Sequence, residues 1–130
     1  MAMKVMLIED NQDILDILEY ALTDNGYEVV SSTNADILTR LNLIKPDIIL
    51  IDECLCDVDT GSIHCQRLKS QKATENIPVM LLSAYPHIEE LAVTAKADGY
   101  IKKPFDIHEL SPAIQFTLNQ NKSVSYSPVH

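Results

Sequence analysis

Pro46-Asp47-Ile48-Ile49-Leu50-Ile51-Asp52 is the stretch that decides the fold. Four consecutive apolar residues stand between two acids, with no alternation that would leave one face wet. A short run of this kind is expected of a central strand covered on both faces, as in parallel sheets. Val79-Met80-Leu81-Leu82 reads the same way, and so does Val5-Met6-Leu7-Ile8 after Lys4. Tyr27–Val30 and Tyr100-Ile101 are two further strand candidates.

Helical spacing fills the intervals. Ile14, Ile17, Leu18, Ala21 and Leu22 repeat on one face, and Asn25-Gly26 supplies the stop. Asn34 is placed to cap a helix carrying Ile37, Leu38 and Leu41, with Pro46 beyond its end. A third helix is expected around Ile63–Gln71, a fourth with Ile88, Leu91, Ala92 and Ala95, and a last with Ile107, Leu110, Ile114 and Leu118. That last helix admits two starts. Asp106 with Glu109 forms a capping-box pattern that leaves Pro112 inside the helix. Ser111 as cap would instead make Pro112 the first helical residue. Strands alternating with helices imply an α/β domain, a parallel sheet with helices on both faces.

The residues that close the strands carry the chemistry. Glu9-Asp10 follows the first run, Asp52 the third and Ser83 the fourth, while Lys103 comes just after the fifth. The C-terminal ends of parallel strands face one crevice, where ligands of open α/β sheets bind. Three carboxylates, a hydroxyl and an ammonium therefore converge, a set suited to metal-assisted phosphoryl transfer. Clustered carboxylates repel each other, and a bound Mg²⁺ relieves that conflict through oxygen ligands and retained waters. Phosphoryl transfer also needs a positioned nucleophile and neutralised equatorial oxygens.

Composition bounds the rest. The 130 residues suit one domain, and a hydrophobic fraction of 46% supports a real core. A net charge of −9 argues against direct nucleic-acid binding, which needs clustered Lys and Arg. No apolar run approaches a membrane span, and the strand-like run after Met1-Ala2-Met3 leaves no room for a signal peptide, so a cytoplasmic protein is expected. Cys54, Cys56 and Cys65 are an odd set, read as reduced thiols in core or loop rather than a disulfide framework. A redox-sensitive pair at Cys54 and Cys56 is the sharper alternative. Asp57 and Asp59 read as a solvated acidic loop, and Lys102 as a solvated lysine.

Four pieces, in order, resemble the receiver domain of two-component response regulators. They are Leu7-Ile8-Glu9-Asp10-Asn11, Pro46–Asp52, Ile77-Pro78-Val79-Met80-Leu81-Leu82-Ser83-Ala84 and Ala97-Asp98-Gly99-Tyr100-Ile101-Lys102-Lys103-Pro104-Phe105. The resemblance runs from about Lys4 to Leu118. It implies a doubly wound, flavodoxin-like sheet of five parallel strands in the order 2-1-3-4-5, a receiver domain over residues 1–120 and a loose tail over 121–130. It makes Asp52 the phosphoacceptor, charged from a phosphohistidine on a sensor histidine kinase or histidine phosphotransfer protein. Asp10 and Asp52 would bind Mg²⁺ directly, Glu9 through water, and Cys54 through its backbone carbonyl. Ser83 and Lys103 would hold the phosphoryl oxygens, and Tyr100 would reorient with Ser83 on activation. Such a protein catalyses its own phosphorylation and dephosphorylation but acts on no separate metabolite. The last two helices are the expected surface for a homodimer or an effector protein.

One loop departs from the family pattern. Cys56 stands where a proline is common, four residues after the acceptor, and Thr60 stands where a glycine is usual, with Gly61 following. Glu53–Gly61 thus reads as one residue long or differently turned, and loss of the proline frees the backbone near Cys54. A receiver-like binding module with a disabled phosphorylation site is the competing expectation. A dinucleotide-binding domain is disfavoured because Glu9-Asp10-Asn11-Gln12 offers no glycine-rich turn.

Overall fold

The computed structural model describes residues 2–55 and 58–123, with side chains described through residue 120. Twelve elements follow in the order β1 (Lys4–Ile8), α1 (Gln12–Asp24), β2 (Glu28–Ser32), a 3₁₀ segment (Ala35–Arg40), α2 (Leu41–Ile44), β3 (Ile48–Asp52), α3 (Gly61–Lys69), β4 (Val79–Ser83), α4 (Ile88–Ala95), β5 (Gly99–Lys102), a 3₁₀ turn (Ile107–Glu109) and α5 (Leu110–Ser123). The sheet is parallel throughout, in the order β2-β1-β3-β4-β5 expected above.

The consecutive apolar residues of β3 divide between two cores. Ile48 and Leu50 join Leu15, Leu18, Leu22, Leu110 and Ile114 beneath α1 and α5. Ile49 and Ile51 join Leu41, Cys65, Leu68, Ile88 and Ala92 beneath α2, α3 and α4. All four are fully buried. Each contributes about 2 kcal/mol of hydrophobic stabilisation, so these four residues press both helical layers onto the strand that ends in Asp52.

Three elements differ from the expected ones. Asn34 does cap, accepting the Asp36 amide at 2.9 Å, but the segment it opens is 3₁₀ and turns α-helical only over Leu41–Ile44. The spacing of Ile37, Leu38 and Leu41 serves a three-residue turn as well as an α-turn. The second strand begins one residue after Tyr27, whose ring is buried and whose hydroxyl meets Ser111 Oγ at 3.0 Å. At the last helix the Asp106–Glu109 capping box is present, but it opens the 3₁₀ turn Ile107–Glu109. The α-helix proper starts at Leu110, so Pro112 falls in its first turn, where a missing N–H leaves no helical bond unmade. That helix continues to Ser123.

Candidate functional site

Parallel pairing aligns the strand ends. Asp52 ends β3 opposite Leu82, and Ser83 ends β4 opposite Lys102 of β5. Backbone bonds extend the sheet one residue further: Glu9 N–H donates to Ser32 O at 3.1 Å, and Lys103 N–H donates to Ser83 O at 2.8 Å. Glu9 and Lys103 are thereby fixed at the lip of the crevice.

Three carboxylates gather there. Oxygens of Glu9, Asp10 and Asp52 lie within 4.8 Å of one another. Lys103 reaches between two of them, with Nζ 2.6 Å from Asp52 Oδ2 and 3.0 Å from Glu9 Oε1. The second oxygen of each is held by backbone, Asp52 Oδ1 by the Cys54 amide at 2.9 Å and Glu9 Oε2 by the Asn11 amide at 3.2 Å. Asn11 caps α1, so the turn that starts the helix also orients Glu9. Glu9 and Asp52 are nearly inaccessible, while Asp10 is half-buried.

Burial and the adjacent Asp52 carboxylate push Glu9 from 4.5 up to about 7, against the pull of Lys103 and the Asn11 amide. Burial acts to lower Lys103, but its bonds and attraction to Asp52 and Glu9 outweigh that and hold the ammonium above its usual range. Lys103 contacts Glu9 and Asp52, and Asp10 stands beside them. The surplus negative charge, the oxygen-only donor set and the spacing within 4.8 Å fit a hard divalent cation.

Ser83 is buried at the same edge, its Oγ accepting the Tyr85 amide at 2.8 Å. That bond does not use the hydroxyl hydrogen, which stays free to be donated. Tyr100 is not part of the cluster. It sits within β5 opposite Leu81, with its ring side exposed. Lys102 is exposed as expected. Asp59, expected to be solvated, is half-buried and makes a surface ion pair with Arg67 of α3 at 2.6 Å. Cys56 and Asp57 lie outside the described residues. Cys54 is exposed, whereas Cys65 is buried with Sγ 3.4 Å from Ala95 O. Burial pushes the Cys65 thiol up to about 12, so it is a core residue and an inert one.

Sequence reading missed a second layer of contacts. Thr60 caps α3 by accepting the Ile63 amide at 3.3 Å, and Glu53 is buried against Ser62. Thr60 had a readable signal, a hydroxyl residue just before a helix. Glu53 had none, since its partner is nine residues away across a loop. Gly61 lies against the main chain of Asp52 and Glu53, where a methyl would collide with the Asp52 carbonyl oxygen. The glycine one position later than usual thus seats α3 directly on the strand end.

Comparison with known proteins agrees with the fold. The family model of the response regulator receiver domain matches residues 5–115. The DNA-binding dual master transcriptional regulator RpaA of Synechocystis sp. is 29% identical over 130 residues, covering 98% of this chain and 54% of that protein. The phosphate regulon transcriptional regulatory protein PhoB of Escherichia coli is 31% identical over 123 residues, covering 92% of this chain and 53% of that protein. The chain therefore spans about half the length of these curated relatives. Among solved structures, a putative response regulator from Chloroflexus aurantiacus superposes with a TM-score of 0.84 at 23% identity, covering 92% of this chain and 99% of its own. The chemotaxis response regulator CheY4 of Vibrio cholerae gives 0.80 at 23% identity, with 90% and 99% covered. The chain belongs to the response regulator receiver domain family of two-component systems. No helix among the described residues is long and apolar enough to cross a membrane.

Proposed function

We propose that this domain accepts a phosphoryl group on Asp52 in a Mg²⁺-dependent reaction and switches conformation to control a partner. The observation that carries the reading is the Lys103 ammonium bridging Asp52 and Glu9 inside a three-carboxylate cluster. Asp10 and Asp52 would hold the ion directly, Glu9 through water and Cys54 through its carbonyl oxygen. When bound, the ion supplies positive charge that lets the carboxylates ionise together and offsets charge on the phosphoryl oxygens.

The residues of the chain do the rest. A carboxylate oxygen of Asp52 attacks phosphorus in line, and the P–N bond of the donor phosphohistidine breaks as the O–P bond forms. Lys103 moves its ammonium from the Asp52 carboxylate to a phosphoryl oxygen, and Ser83 donates its hydroxyl hydrogen to another. Both stand at the ends of neighbouring strands joined by the Lys103–Ser83 backbone bond. Drawing them inward biases β4 and β5, and the exposed Tyr100 ring on β5 is the element that reorients.

The donor is a sensor histidine kinase or a histidine phosphotransfer protein. An apolar groove of about 440 Å³, lined by Ile14, Ile17, Leu18, Ala84, Pro104, Phe105 and Ile107, begins at Lys103 itself. Apolar surface docked there brings a histidine over Asp52. A homodimer or effector would use α4, β5 and α5. Any nucleic-acid contact would be made by other parts of a longer protein, since this domain carries a net charge of −9.

The test is intact-mass measurement after treatment with phosphoramidate, with and without Mg²⁺. A single phosphoryl adduct requiring both Mg²⁺ and Asp52 is expected. Folded protein that takes no adduct in excess Mg²⁺ would leave a binding module with a disabled site.

A further inference from the structure

We infer that Glu53 is a positioning residue for this phosphoryl transfer, a side-chain brace that fixes the peptide groups on either side of it by gripping the start of α3. The inference rests on the reading of Asp52 as acceptor. Glu53 lies between that acceptor and Cys54, whose carbonyl is the proposed metal ligand, so its orientation sets theirs.

It is held at every polar atom. Its N–H donates to Leu82 O at 2.8 Å, and its carbonyl accepts the Gly61 amide at 3.1 Å. Its carboxylate accepts the Ser62 amide at 2.7 Å through Oε1 and the Ser62 hydroxyl at 3.0 Å through Oε2. A carboxylate can only accept, so the Ser62 hydroxyl spends its hydrogen on Glu53. Thr60 Oγ1, 3.0 Å from Ser62 Oγ, must then donate to it while itself accepting the Ile63 amide. The result is a directed chain from Thr60 through Ser62 to Glu53, each member polarising the next. Glu53 and Ser62 are both buried, where an unmade bond is costly, and the carboxylate sits at the positive end of α3.

This brace does what a proline would otherwise do. Cys56 occupies the position where a proline is common, leaving the backbone after Asp52 without that restraint. Glu53 ties the first residue of the loop to its last, and the collision that any side chain at Gly61 would make with Asp52 leaves α3 one seat.

The decisive experiment compares wild type, Glu53→Ala, Glu53→Gln and Ser62→Ala by Mg²⁺ titration of the metal-free protein, amide hydrogen exchange at Cys54 and phosphoramidate labelling. All are read at a temperature where each variant is folded. Glu53→Ala should weaken Mg²⁺ binding about tenfold, the usual scale for groups that orient a metal's ligands, and speed Cys54 exchange. Glu53→Gln should stay within about threefold of wild type, because its amide oxygen can accept the Ser62 N–H and its NH₂ can reach the Ser62 hydroxyl. Ser62→Ala, which removes the hydroxyl's bonds to Glu53 and Thr60 but keeps the Ser62 N–H bond to the carboxylate, should fall between them and decides the matter if Glu53→Ala does not fold. Unchanged Mg²⁺ affinity and Cys54 exchange in Glu53→Ala would overturn the inference, as would equal losses in the Gln and Ala variants. Wild type that binds Mg²⁺ yet takes no phosphoryl group would overturn the proposed function instead, while the titration and exchange data would still judge Glu53.

Discussion

Lysines meet carboxylates at both ends of the sheet, but the charge arithmetic differs. At the N-terminal edge Lys69 Nζ lies 2.6 Å from Asp98 Oδ2, 2.8 Å from Ile77 O and 3.1 Å from Glu75 O. All three ammonium hydrogens are spent. Asp98 Oδ2 also accepts the Val79 amide at 2.8 Å, which fixes the start of β4. One cation, one anion and three backbone groups close a complete set. At the C-terminal edge one ammonium is divided between Asp52 and Glu9, with Asp10 beside them. There the acids outnumber the bases, and Glu9 is pushed up to about 7. A balanced cluster holds a fold together. An unbalanced one leaves charge to be offset.

The largest effect should come from Asp52→Asn, which keeps the shape of the site but removes the proposed nucleophile. Phosphoramidate labelling should drop at least about 100-fold, and an adduct persisting elsewhere would break the functional side of the contrast. Lys69→Met should do the reverse. It leaves Asp98 and two carbonyls without their cation and should cost about 3 kcal/mol in urea unfolding, with the labelling rate of folded protein unchanged. A loss of labelling alone would show that the N-terminal edge is not merely structural.

A smaller effect is expected at the groove. Ile17 is 56% exposed, so Ile17→Glu should fold normally. It should slow transfer from a phosphorylated histidine protein about tenfold, the loss of one apolar contact at an interface, while phosphoramidate labelling stays as in wild type. Equal slowing of both donors would place Ile17 in the chemistry rather than in docking.

The smallest effect concerns pH. Glu9 holds its proton up to about 7 in the folded metal-free protein, against 4.5 when unperturbed. The folded state therefore binds the extra proton, its stabilising contribution is complete below about pH 4.5, and it is lost as pH rises through 7. The melting temperature of metal-free wild type should fall between pH 5 and pH 8, and Glu9→Gln should flatten that fall. Mg²⁺ at pH 8 should restore the wild type more than the variant. Identical pH profiles for the two proteins would remove the charge conflict from the account.

Much of the unbalanced edge was legible in the sequence, and little of the balanced one. Glu9, Asp10, Asp52, Ser83 and Lys103 each close an apolar run or stand just beyond it, and parallel topology gathers strand ends without help from any particular side-chain contact. Lys69 and Asp98 carry no such address. Their meeting depends on where the turn after α3 places one side chain against the approach to β5, which no local pattern encodes. The same holds for Glu53 and Ser62 across their loop. The second helix failed for a different reason. Asn34 announces a start, but three apolar positions cannot choose between 3₁₀ and α spacing.

The bond between the Gly61 amide and the Glu53 carbonyl has a consequence for how such a domain changes over generations. It closes the mouth of the loop independently of what lies inside. Residues added or exchanged between Cys54 and Thr60, which themselves hold Asp52 and cap α3, alter the outline that a visiting protein meets, yet leave the strand end and the helix start where they were. Lengthening such a closed excursion costs little, about 0.6 kcal/mol for a doubling. Partner choice and chemistry are thereby uncoupled: the one can drift while the other stands still.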